Sequence, residues 1–205
     1  ATGDNDTGIN LQRVGTIKCA REGNIAGIFN RKTNDGVVIR ILQDGSIEGT
    51  ISVSGSTVSY NGGHLARWSQ TTDNTRIDLF KGTVMTNLDQ MAIWGDEDNE
   101  QLNKMKVSDA EGDDNVAGVF VNWDNDDEVY TNDMNIAMTG DMVIRIAQGV
   151  PVHKGQLLMS AGDGTAKPQG DDIVRSKTIA KVTSNNVTKT YDDGSYLVPC
   201  VLMAC

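Results

Sequence analysis

Aromatic residues make up only 5% of this 205-residue chain, and there are just 3 prolines and 2 histidines. Each scarcity removes a class of function. Glycan hydrolysis calls for aromatic platforms beside paired carboxylates. With 28 acidic residues the acids are plentiful, but the platforms are not, so a glycan hydrolase ranks last. The two histidines, His64 and His153, lie far apart, and no HExxH, GxSxG, P-loop or strand-linked GxGxxG pattern is present. Small-molecule enzyme chemistry has no anchor, and no cofactor or metal is implied. The 3 cysteines, Cys19, Cys200 and Cys205, are odd in number and lack CxxC spacing, which argues against a disulfide framework or a zinc knuckle. They read as buried free thiols in a reducing compartment. No apolar run reaches membrane-spanning length. The first residues, Ala1 to Asp6, lack the basic and apolar regions of a signal peptide and read as a cut end of a longer polypeptide. Clustered Lys and Arg are missing too. At a net charge of −10, nucleic acid and anionic membranes are not expected partners.

Glycine and β-forming residues are abundant instead. The chain has 22 glycines and is 38% hydrophobic, enough for a core built from turn-dense β structure. The clearest pattern spans residues 34–60. Asn34-Asp35-Gly36 and Asp44-Gly45 punctuate Val37–Leu42 and Ile47–Val53, with apolar residues alternating at Val37, Ile39, Ile41, Ile51 and Val53. Period two predicts strands, and Asp-Gly predicts tight hairpin turns. These strands offer edges but little apolar bulk, so they need partner strands, which a symmetric oligomer supplies. Further strands are expected at 14–20, 25–30, 79–85, 116–123, 135–146, 152–160, 179–183 and 196–203, with a short helix over 87–94. Acidic loops at 96–100, 109–114 and 124–128 separate them. All three tryptophans follow Gly62-Gly63, which places a boundary there. The expected architecture is mainly β: residues 1–63 form a short intertwined fibrous stub, residues 64–205 a β-rich globular unit, and the whole a homotrimer.

Three constellations bear on chemistry. The run Asp124-Asn125-Asp126-Asp127-Glu128 superficially resembles a calcium loop, but Val129 stands where glycine is needed and Asn135 where glutamate is needed, so it reads as a solvated hairpin tip. Gly140-Asp141 and Asp163-Gly164-Thr165-Ala166 have no following helix to hold phosphate and read as ordinary turns. The junction Asn61 to Gln70 sets a flexible Gly-Gly beside His64, an acid or base near neutral pH, with Ser69 close by. A strained peptide flanked by such groups is the minimum needed for intramolecular backbone cleavage. The same residues read equally well as a plain interdomain hinge.

The run Phe29–Gly36, continued by Gln43–Ile51, resembles the region preceding the C-terminal domain of tailed-phage fibres and tailspikes. From His64 onward the chain is similar to the auto-cleaving intramolecular chaperone of that family, typified by phage preneck appendage proteins. Gly140–Ile146, Lys154–Leu158, Gly162–Lys167 and Thr178–Val182 occur in the family's order. The resemblance spans about 175 residues. It implies a homotrimer in which the chaperone holds three chains in register, joined to upstream fibre domains of the same chain. Assembly would occur in the host cytoplasm, and the parent protein would reside in the virion tail. It also implies self-release between Leu65 and residue 66. Relatives tend to carry serine in a segment like His-Leu-Ser-Arg-Trp-Ser-Gln, where this chain has Ala66. The Ser-Lys dyad of the other phage chaperone family is not visible, so the implied catalysts are His64 and a carboxylate. Glu48 and Asp73 are the nearest in sequence. The alternative is a structural or receptor-binding tip that is retained without proteolysis.

Overall fold

A computed structural model describes residues 8–11, 15–96, 98–124 and 132–204. Among them every regular element is a strand and no helix occurs. In chain order these are β1 (Gly8–Leu11), β2 (Ile17–Ala20), β3 (Gly36–Gln43), β4 (Ser46–Ser54), β5 (Thr57–Asn61), β6 (His64–Ser69), β7 (Val84–Met91) and β8 (Asn103–Val107). They continue with β9 (Val116–Trp123), β10 (Met134–Ile146), β11 (Leu157–Ser160), β12 (Ala166–Pro168), β13 (Ala180–Val182), β14 (Lys189–Thr190) and β15 (Tyr196–Met203). The chain divides into two compact units, Ala1–Gly62 and Gly63–Cys205.

In the first unit, β1 and β2 pair antiparallel, and β3, β4 and β5 form an antiparallel meander. Gln43 pairs with Ser46 across a two-residue turn. Asp44 and Gly45 there have φ of 48° and 82°, as a type I′ turn requires. The expected strand at 25–30 is not present: those residues are irregular and exposed, and no described strand pairs with them. No described side chain of this unit is buried. The meander therefore has the backbone of a sheet without a core of its own.

The second unit builds two rings of strands around one shared strand. The first ring is closed: β10 pairs with β15, β15 with β13, β13 with β11, β11 with β12, and β12 returns to β10. Only the last contact, Ile146 against Ala166, is parallel. A barrel this small is filled by its own side chains. Met142, Ile144, Ile146, Leu158, Ala166, Ala180, Val182, Val198, Cys200 and Leu202 fill it. Alternation places them: along β10, Met142, Ile144 and Ile146 are buried, while Val143 and Arg145 between them are half-buried.

The second ring runs β6–β10–β9–β7–β8. Its ends meet where the Met105 N–H donates to the Gln70 carbonyl at 2.9 Å and the Ser69 hydroxyl donates to the Asn103 carbonyl at 2.8 Å. Met85, Met105, Met134, Ile136 and Phe120 pack inside it. The helix expected over 87–94 is corrected here. Strand β7 runs through Met91, and residues 92–94 are irregular. Ladders on both edges of β7 outweigh its weak helical preference. Side-chain amides also serve its backbone: Asn115 Nδ2 donates to the Asn87 carbonyl at 3.1 Å, and Asn103 Nδ2 to the Leu88 carbonyl at 2.9 Å. Upstream, residues 79–83 form a turn and not the start of the strand, with the Thr83 N–H bonded to the Phe80 carbonyl at 3.1 Å.

Ile144 has no accessible surface in the closed barrel. Ile144→Ala should cost about 2–5 kcal/mol, read by urea unfolding followed through tryptophan emission. A loss under about 1 kcal/mol would contradict this placement.

Candidate functional site at the junction strand

Strand β6 begins the second unit and carries His64, Leu65, Ala66 and Ser69 of the residues that the sequence nominates. It lies antiparallel on the N-terminal half of β10. At its start the Asp141 N–H donates to the Gly63 carbonyl at 2.8 Å. At its end Ser69 and Gln70 are buried. The Gln70 side chain closes a pair of bonds with the Ile93 backbone, both at 2.8 Å. The strand is thus pinned at both ends, while its middle faces solvent. Leu65 is 69% exposed, and Ala66 is exposed beside it.

The register changes across the middle. Ala66 pairs with Ala137, but Leu65 pairs with Thr139, leaving Met138 as the extra residue on β10. This is a β-bulge, which raises local twist and re-aims the adjoining chain. It falls opposite the Leu65–Ala66 peptide, the bond at which the family resemblance implies self-release. His64 is half-buried opposite Gly140.

The other nominated groups fare differently. Ser69, the nearest hydroxyl in sequence, is buried and donates to Asn103, so it is committed to structure. The Asp73 carboxylate caps its own turn, accepting from the Thr75 hydroxyl at 2.7 Å and the Thr75 N–H at 3.2 Å. These bonds hold it below the usual carboxylate range, a weak base for proton abstraction. Glu48 is exposed on β4 of the first unit. Missed in the sequence were the cross-strand residues Gly140 and Asp141. Read both as part of the strand at 135–146 and as an ordinary turn, they lie inside β10, against the start of β6. Asp163-Gly164 does form a turn, with the Thr165 N–H bonded to the Asp163 carboxylate at 3.0 Å. The calcium-like run beyond Asp124 lies outside the described residues.

Elsewhere the polar clusters are structural. Ser108 and Ser160 share a hydrogen bond at 2.7 Å, and Ser108 donates to the Asp113 carboxylate at 2.7 Å, with both serines fully buried. Burial pushes the Cys200 thiol up to about 12, which leaves it an inert core group. Among the described residues no group of three or more His, Cys, Asp and Glu could hold a metal ion. An open groove of about 440 Å³ is lined by Lys154, Gln156, Leu157, Pro168, Asp171 and Asp172. Fully buried Asp133 accepts from the Trp94 indole N–H at 2.6 Å.

No family model, no curated protein and no solved structure matches the chain. The fold itself defines an all-β protein whose second unit is a closed barrel sharing a strand with a second ring.

Asp133 yields a pH prediction. Its burial raises the carboxyl above its ordinary value, against the opposing pull of Trp94 and Gln70 hydrogen bonding. The folded state then binds the proton more tightly than the unfolded chain does. Its contribution is fully present below the unfolded carboxylate value and is lost as pH rises through the folded one. Relative to Asp133→Asn, the natural chain should therefore lose stability over that window as pH rises. Urea unfolding as a function of pH, followed by Trp94 emission, checks this. An opposite slope would show a paired, ionised Asp133.

Proposed function

We propose that this chain is the C-terminal end of a phage tail fibre or tailspike. Residues 1–63 are the end of the shaft. Residues 64–205 are an intramolecular chaperone that gathers three copies, sets the register of their shaft strands and is built for release by self-cleavage at Leu65–Ala66. The observation that carries this reading is the contrast in burial between the two units. No described side chain of the first unit is buried, and Phe29 at 72% and Tyr60 at 79% exposure stand with Ile28, Ile41, Leu42, Ile47 and Val58 in solvent. Such a segment lacks independent stability. Covering it with two further copies of itself supplies the missing core. The second unit has complete cores and can fold ahead of the shaft. Joining three ends at one foot raises their effective concentration and lowers the cost of slow, non-local strand pairing.

The cleavage chemistry needs a hydroxyl at position 66. Its oxygen would attack the Leu65 carbonyl carbon, and the amide nitrogen would leave as an amine after taking a proton. Water would then hydrolyse the ester to a Leu65 carboxylate and restore the hydroxyl. His64 stands adjacent to serve as base or acid, with Glu48 as the carboxylate partner on assembly. Ala66 has no hydroxyl, which supports a second reading for this particular chain: a tip retained in the virion, uncut.

Two measurements test the proposal. Light scattering should give three times the 22.1 kDa chain mass, and a monodisperse monomer at micromolar concentration would overturn it. Ala66→Ser should produce a fragment beginning at residue 66, seen by mass spectrometry only once the trimer has formed. A trimer that stays intact for days would rule out this bond and this nucleophile.

A further inference from the structure

We infer that Gly140 and the Asp141 amide form a backbone clamp that fixes residues 63–66, making Gly140 a positioning residue for the Leu65–Ala66 bond; the link to cleavage rests on the function proposed above.

Three observations converge on the clamp. The Asp141 N–H holds the Gly63 carbonyl at 2.8 Å. Gly140 sits at φ +104°, and a Cβ there would lie 2.5 Å from the Gly63 oxygen and 2.8 Å from His64 Cα. Both obstacles are backbone, so no rotamer change relieves them. Only a residue without a side chain lets the two strands come this close. The register slip at Met138 then falls between this anchor and the Ala66–Ala137 pair. The anchor itself is stiff. Gly140 and Asp141 pair on their other edge with Leu202 and Val201 of β15, inside the closed barrel.

The physical consequence is selective. Leu65 and Ala66 stay open to solvent while the chain on their N-terminal side is held to the barrel wall. An intramolecular attack gains most of its rate from such pre-set geometry, and a displacement of about 1 Å costs on the order of 100-fold. The clamp provides that geometry without contributing a catalytic group. It acts through the position of the bond alone.

The test uses the full-length chain. Amide hydrogen exchange in the natural sequence should show Asp141 protected at least about 100-fold, like Arg145, whose N–H is bonded to the Gly82 carbonyl at 3.0 Å. An Asp141 amide that exchanges freely while Arg145 stays protected overturns the clamp, whatever any variant does. Gly140→Ala should then lose Asp141 protection at least tenfold and open residues 62–66 to protease, with Arg145 protection kept. In the Ala66→Ser chain, adding Gly140→Ala should slow cleavage at least tenfold without changing the shape of its pH profile, as expected for lost position and not for a lost proton donor. Equal cleavage rates with and without Gly140→Ala would refute the positioning role. Failure of Ala66→Ser alone to cleave would instead refute the proposed reaction, and the exchange data would still decide the clamp.

Discussion

Both rings of the second unit hang on the hydrogen-bonding capacity of β10. A strand has two edges, and β10 uses each of them twice. Its N-terminal half lies between β6 and β9, and its C-terminal half pairs with β15 along its length and meets β12 at Ile146. The same 13 residues supply both cores, with Met134 and Ile136 facing one and Met142, Ile144 and Ile146 the other. The bulge at Met138 lies where the strand passes from one environment to the next. An extra residue there lets a period-two strand shift its facing without breaking the ladder. The junction strand inherits its position from this arrangement, since β6 has its whole ladder on β10.

The outer surface of the closed barrel is fixed by a polar and aromatic cluster about Arg145. Its guanidinium lies 4.8 Å from the Phe80 ring centroid, and Phe80 stacks on Tyr191 at 4.2 Å. Nε donates to the Ser195 hydroxyl at 2.7 Å, and a terminal nitrogen pairs with Asp193. Tyr191 donates to the Lys81 carbonyl at 3.1 Å. This ties residues 80–83, β10 and the loop before β15 together on one face. Arginine suits the task because its plane can stack while its edge donates. The buried Ser108–Ser160 pair and the Trp94–Asp133 bond join distant segments in the same way, each through few but desolvated groups.

The two units are opposite solutions to one problem. Strands at 36–43 and 46–54 alternate well enough to form a sheet, yet none of their apolar side chains is buried: Val37, Ile39, Ile51 and Val53 are only half-covered, and Ile41, Leu42 and Ile47 are exposed. Strands β10 and β15 pair with each other and join further strands into a ring whose inward side chains cover one another. The difference is whether the apolar face is covered by a closed ring of strands, not strand propensity. Sheet formation needs only hydrogen bonds and pleat, whereas a core needs volume on one face.

Much of this architecture was fixed by local sequence. The Asp44-Gly45 turn, the strands at 116–123, 134–146 and 196–203, and the break at Gly62-Gly63 follow from turn chemistry and period-two patterning, which act within a few residues. The reading failed where distant partners decide. Residues 87–91 join a sheet because β8 pairs with them and β9 flanks the start of the same strand at 84–86, and residues 25–30 stay irregular because no described strand lies alongside. The same limit applied to the junction. Its own residues His64, Leu65 and Ala66 were legible as a short run beside Gly-Gly, but Gly140, Asp141 and the bulge at Met138 are about 75 residues away in sequence. Sequence alone determined which residues could bend and which could alternate. Tertiary structure alone decided which backbone groups meet, because the pairing of two strands depends on the closure of a ring that no single segment encodes.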